Sequence, residues 1–269
     1  MSIKRQIYNL IQSLKWYSQF YKCKIANKYN KQVAQMQEDA FDAPLILVPH
    51  SDDEWIGPYS ILNKAAHNSK CVYFNLFGND YSETNRSIRN AEILASSRFW
   101  GFELINNIDC DSRSLSRLLT QHSHIFVPSP YDWHPEHRKV FQTLYHSLNL
   151  LSENELHSKK IYYYCVSVPH MPHEFVYYVP LSESDINNKW NNFNKIYRSQ
   201  SFMPALRYKL NLRLVPSKCG YAAQFYVLAD INRIKMDYEI TMDKSITSKL
   251  DTLFYKINNL FKIRSFSLR

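Results

Sequence analysis

Residues 45–54 read Leu45-Ile46-Leu47-Val48-Pro49-His50-Ser51-Asp52-Asp53-Glu54, and this stretch decides both the fold class and where chemistry is to be sought. Its four leading apolar residues form a run of the kind that makes a buried strand. The run ends in one imidazole and three carboxylates. Like charges that close repel and disturb one another's protonation, unless a cation sits among them and turns repulsion into ligation. A helix N-terminus, whose dipole favours Asp and Glu, is the alternative reading of the same residues. Taken alone, the stretch does not separate the two.

Outward from it, apolar runs alternate with amphipathic ones. Leu45–Val48, Cys71–Leu76, His124–Val127 and Ile161–Val168 read as strands, rich in Val, Ile, Tyr and Phe. Helical patterns lie near 55–67, 84–100, 112–121 and 135–151. This order predicts an α/β fold, a Rossmann-like and mainly parallel sheet with helices on both faces. The functional crevice of such a sheet lies beyond the carboxyl ends of its strands, where His50 to Glu54 fall. A second cluster, Asp132-Trp133-His134-Pro135-Glu136-His137, follows another strand. Pro135 suits the first turn of a helix, and histidines at i and i+3 project on one side of it. An isolated His-x-x-His is weak evidence for a metal. Two such clusters at two strand ends point to a divalent ion held by imidazole and carboxylate, with a position left open for chemistry.

Composition narrows the classes. Only 4 glycines occur in 269 residues, with no G-x-G-x-x-G and no phosphate-cradling Lys-Ser/Thr loop. Five scattered cysteines without a C-x-x-C suit reduced thiols in a cytoplasm and offer no thiolate metal site. No signal-peptide pattern and no apolar stretch of bilayer length is present. The formal charge of +9 concentrates at the ends. Residues 1–35 carry Lys4, Arg5, Lys15, Lys22, Lys24, Lys28 and Lys31 with no acid, and Ile3, Ile7, Leu10, Ile11, Leu14, Tyr17 and Tyr21 recur at helical spacing. A basic amphipathic helix of this kind suits the anionic inner face of a membrane, or packs on the domain with its charges solvated. No nucleic-acid recognition motif accompanies the charge. The chain therefore divides into a basic helical extension (1–40), an α/β domain (41–230) and a basic helical C-terminal extension (231–269).

At its two clusters the chain resembles the PIG-L/LmbE-like family of zinc-dependent N-acetylglucosaminyl deacetylases. The family's Ala/Pro-His-Pro-Asp-Asp-Glu is matched by Pro49-His50-Ser51-Asp52-Asp53-Glu54, and its His-Pro-Asp-His by His134-Pro135-Glu136-His137. Gly78, Arg89-Asn90-Ala91-Glu92, Gly101, Tyr197-Arg198-Ser199-Gln200 and Tyr221-Ala222-Ala223-Gln224-Phe225 follow the family's later pattern over roughly residues 43–228. The resemblance implies that His50, Asp53 and His137 ligate Zn2+, or Fe2+ in its place. It implies Asp52 as general base and His134 as the group that stabilises the oxyanion and passes a proton to the leaving amine. Ser51 stands where the family has proline, and Glu136 where it has an aspartate that orients the first histidine of its motif.

The substrate implied is an N-acetylated amino sugar in a glycoconjugate, such as a lipid-linked or surface-polysaccharide precursor. A small soluble amino-sugar conjugate is the rival within the enzyme class, and a non-catalytic basic protein binding anionic partners is the rival outside it. Asp80, Arg86 and Arg89 follow the second strand and are candidates for binding sugar hydroxyls or phosphate, with surface ion pairing as the alternative. Trp55, Tyr131 and Trp133 are candidates for a sugar platform or for packing, and His170 and His173 for the crevice rim. Asp132 reads as a cap or as a partner behind a ligand, and Glu54 as a first-turn helix acid.

Overall fold

The structure, a computed structural model, describes residues 33–76, 82–106, 111–132, 134–166, 176–200 and 219–248, together with Ile7, Leu10, Ile11, Leu14, Tyr208, Lys209, Leu212 and Arg213. Its centre is the predicted strand β2 (Leu45–Val48), buried at every position. With β1 (Val33–Gln35), β3 (Lys70–Tyr73), β4 (Glu103–Asn106), β5 (His124–Pro128), β6 (Lys160–Tyr164), β7 (Val176–Leu181) and β8 (Ala222–Ala229) it forms one eight-stranded sheet of order β1-β7-β8-β6-β5-β2-β3-β4. Every pairing is parallel except the two made by β8, which runs against β6 and β7. This is the expected mainly parallel α/β sheet.

Continuous apolar strands belong where both faces of a sheet are covered. Ile46, Val48, Phe126, Tyr162 and Tyr164 enter one apolar core, whereas Leu45, Leu47, Ile125, Val127 and Tyr163 enter another. That is the alternation a pleated strand imposes. The helices are α1 (Asp53–Ile56), α2 (Tyr59–Ala65), α3 (Glu83–Trp100), α4 (Ser112–Gln121), α5 (Pro135–Leu148), α6 (Glu153–His157), α7 (Glu183–Ile196) and α8 (Ile231–Met242). Local chemistry sets their ends. The Ser82 hydroxyl accepts from Asn85 N to start α3, and Gly101, at φ 81°, stops it in a left-handed conformation that glycine adopts at little cost. His134 caps α5 through its ring, and Pro135 occupies the first turn.

The ends of the chain are less separate than their composition suggests. β1 falls inside the 1–40 stretch and pairs with β7 at the sheet edge. Helix α8 falls inside the 231–269 stretch and is tied to the domain through Asp237. This buried carboxylate accepts from the Tyr131 hydroxyl at 2.5 Å and pairs with Arg233 Nε at 2.9 Å.

From β2 the chain passes to β3 and β4 on one side, then returns to lay down β5 and β6 on the other. The boundary between β2 and β5 is thus a topological switch point, the place where an open α/β sheet opens a crevice at its carboxyl ends. Both motifs leave their strands there.

Candidate metal centre

After Val48 the backbone turns so sharply that Asp52 takes φ 128°, a conformation costly for a residue with a Cβ. The turn is held from behind. Asp52 N donates to Glu54 Oε2 at 3.1 Å. Glu54 Oε1 accepts from Ser96 Oγ at 2.7 Å and from the Tyr197 hydroxyl. Ser96 in turn accepts from Trp55 Nε1 at 2.8 Å. Glu54 is fully buried, and burial pushes its carboxyl up to about 7 against the pull of Tyr197 and Ser96. The first-turn acid of the sequence reading is therefore an internal strut. Ser51 is buried too and does not cap α1.

Asp52 meets a cation from within the protein: Arg89 Nη2 lies 2.9 Å from Asp52 Oδ1, with both side chains about 95% shielded from solvent. Glu92 lies 3.5 Å from Arg89 Nη1 and is fixed by Ser199, whose N and Oγ donate to it at 2.8 and 2.7 Å. Burial dominates the protonation of Asp52 and, against Arg89, lifts it to about 6.

The second motif supplies the opposite wall. Asp132 is wholly buried; its Oδ1 accepts from His134 N at 3.0 Å and its Oδ2 lies 3.3 Å from His137 Nδ1. Arg138 Nη1 donates to the Asp132 carbonyl at 2.9 Å. Glu136 Oε2 lies 2.7 Å from His50 Nε2 and 3.5 Å from His134 Nδ1. Its stronger hold is on the histidine of the first motif, because the extra methylene carries the carboxylate across the crevice. Glu136 N donates to His134 Nδ1 at 3.3 Å, which leaves the ring proton on Nε2. Burial, together with the His50 and His137 rings, drives His134 down to about 2 and keeps it neutral.

Three donor atoms converge between the walls. Asp53 Oδ2 is 3.0 Å from His50 Nδ1 and 3.3 Å from His137 Nε2, and the two ring nitrogens are 3.2 Å apart. A tetrahedral ion with bonds of about 2.0 Å requires ligand separations of about 3.3 Å. The triangle fits that requirement, and its imidazole and carboxylate donors suit zinc or iron(II). Ring nitrogens of His50, His134 and His137 also lie within 4.8 Å of one another, so His134 borders the same point. Burial opposes charge on His137, yet Asp132 and Asp53 raise it to about 10. Burial would raise Asp53, but His137 and His50 hold it well below the usual carboxylate range. The surroundings are arranged for positive charge.

The structure thus brings together His50, Asp52, Asp53, His134 and His137. Arg89, read from sequence as a substrate contact, is instead buried behind Asp52. Arg86 is half-buried on α3, and Asp80, Trp133, His170 and His173 lie outside the described residues. Trp55 is core, its ring 5.0 Å from Trp100 and 5.6 Å from Tyr59. Sequence reasoning did not assign the support formed by Ser96, Tyr197, Ser199 and Glu92. Its signals were the Arg89–Glu92 spacing, which places both side chains on one face of a helix, and the Tyr197-Arg198-Ser199-Gln200 stretch, matched only as part of the family's later pattern.

No known family model and no curated protein sequence matches the chain. Solved structures do. The conserved protein TT1542 from Thermus thermophilus superposes with a TM-score of 0.55 at 19% identity, covering 69% of this chain and 94% of its own. The A40926 pseudoaglycone deacetylase Dbv21 superposes with a TM-score of 0.51 at 12% identity, covering 70% of this chain and 97% of its own. At these identities the likeness is one of fold, and the chain has the fold of the PIG-L/LmbE-like deacetylases.

Proposed function

We propose that the chain is a metal-dependent amide hydrolase that removes the N-acetyl group from an N-acetylglucosamine-type sugar in a glycoconjugate. The observation that carries this reading is the triangle of His50, Asp53 and His137 donors at the switch-point crevice, with Asp52 beside it. That Dbv21 is a deacetylase of the same fold supports the choice of reaction. A zinc or iron(II) ion held there supplies Lewis-acid activation of an amide carbonyl and of water.

The side chains divide the remaining work. Asp52, lifted towards neutrality by burial, accepts the proton of the attacking water. The Arg89 ion pair and the Glu54 contact hold it in the strained turn, so its carboxylate need not reorganise during reaction. His134, neutral with its proton on Nε2, donates to the oxygen of the tetrahedral intermediate. The proton taken by Asp52 returns to the sugar nitrogen as the C–N bond breaks, giving acetate and a free amine.

The test is acetate release by zinc- or iron-loaded protein over N-acetylglucosamine conjugates, small and lipid-linked. Asp52→Asn should keep one metal per chain and lose about 10²- to 10⁴-fold in rate. His137→Ala should lose the metal itself. A chain that takes up no metal, or an Asp52→Asn variant as active as the parent, would overturn the proposal.

A further inference from the structure

We infer that the basic N-terminal segment is a docking element for an anionic lipid surface. Ile7, Leu10, Ile11 and Leu14 are helical, and their spacing of i, i+3, i+4 and i+7 places them on one face. Most of that face stands in solvent: Ile7 is 50% exposed, Leu10 60% and Leu14 61%, while Ile11 is partly buried. By contrast α4 buries its apolar stripe, with Leu115 and Leu119 both fully shielded. Neighbouring aliphatic side chains left in water mark a surface that is covered by something else.

Charge identifies the cover. The seven basic residues of positions 1–35, with no acid among them, supply most of the formal +9. A second copy of the same helix would bring like charge against like charge. A polyphosphate backbone would satisfy the lysines and leave the aliphatic face in water. An anionic bilayer meets both needs, with headgroups for Lys4, Arg5 and Lys15 and the acyl boundary for the apolar face. Trp16, Tyr17, Phe20 and Tyr21 continue the stretch with the residue types that favour the headgroup level. No helix among the described residues is long and apolar enough to cross a membrane. The inference stands apart from the deacetylase reading, since docking requires no acetate release.

The experiment is sedimentation of the full-length protein with vesicles of phosphatidylglycerol and phosphatidylcholine, and of phosphatidylcholine alone. Binding is expected only to the anionic vesicles and should weaken with salt. Leu10→Ser with Leu14→Ser, at exposed positions that leave the thermal midpoint unchanged, should weaken partitioning about tenfold or more. A second variant, Lys4→Gln with Arg5→Gln and Lys15→Gln, should do the same through charge. The inference is overturned if the parent stays in the supernatant, binds neutral vesicles equally, or binds as well with serines at 10 and 14. It is also overturned if the same substitutions abolish capture of RNA or an acidic protein while vesicle binding persists.

Discussion

The two halves of the centre are built on different plans. The His50–Glu54 half is a strained strand-to-helix turn braced by two other segments, α3 through Arg89 and Ser96 and the chain after α7 through Tyr197, with its own Glu54 as the strut between them and Asp52. The Asp132–His137 half is a helix start that braces itself. Asp132 holds both of its histidines, His134 caps α5, and Pro135 fixes the first turn. The first half separates one candidate donor from its neighbour, because a backbone bend aims Asp52 towards Arg89 and Asp53 towards the histidines. The second aligns two rings on one helical face. A site needing one carboxylate as ligand and the adjacent one as base has to accept strain in the first half, and tertiary packing offsets that strain.

Breaking the bracing should therefore cost more on the first side. Arg89→Met leaves Asp52 and Glu92 as buried carboxylates without their cation and should lower stability by about 3–5 kcal/mol. Denaturant unfolding measures it, and an unchanged midpoint would mean the turn holds without the ion pair. Across the crevice, Glu136→Gln keeps size and removes the charge facing His50 Nε2, so metal affinity should fall about 10- to 100-fold in a chelator competition. Glu136→Asp sharpens the point: if the shorter acid binds metal as tightly, the reach to His50 is irrelevant.

A third effect, seen only as a pH dependence, concerns the far end of α1. Lys189 is buried, donates to the Ile56 carbonyl at 3.3 Å, and is lowered by burial from 10.5 to about 7. Between those two values the unfolded chain holds a proton on this amine that the folded chain has released, so stability rises with pH across that window. The slope approaches about 1.4 kcal/mol per pH unit. Lys189→Met should flatten the rise between pH 7 and 10; parallel curves for parent and variant would show that the amine keeps its proton in the fold.

The parallel sheet is legible in the sequence because its central strands are apolar throughout, as strands covered on both faces must be. The edge strands are not. β1 and β4 are short and half-polar, and β8 runs antiparallel between β6 and β7, an insertion that no local pattern announces. The candidate ligands were legible because acids and imidazoles crowd the ends of two strands. Arg89 was misplaced at the rim because an arginine near a strand end looks the same in sequence whether it faces solvent or a buried acid.

By itself the sequence determined the fold class, the two motifs and the identity of the groups that can hold a metal, since each follows from short-range pattern and side-chain chemistry. Only the tertiary structure decided that β2 and β5 are neighbours and that three donors meet within 3.0–3.3 Å. It also decided that Glu136 reaches His50, and that Arg89 and Glu54 serve Asp52 from behind. Apart from the short reaches of Glu54 to Asp52 and of Asp53 to His50, these are contacts between residues tens of positions apart. What fixes them is the order in which strands join the sheet and the burial that makes an unpaired charge costly.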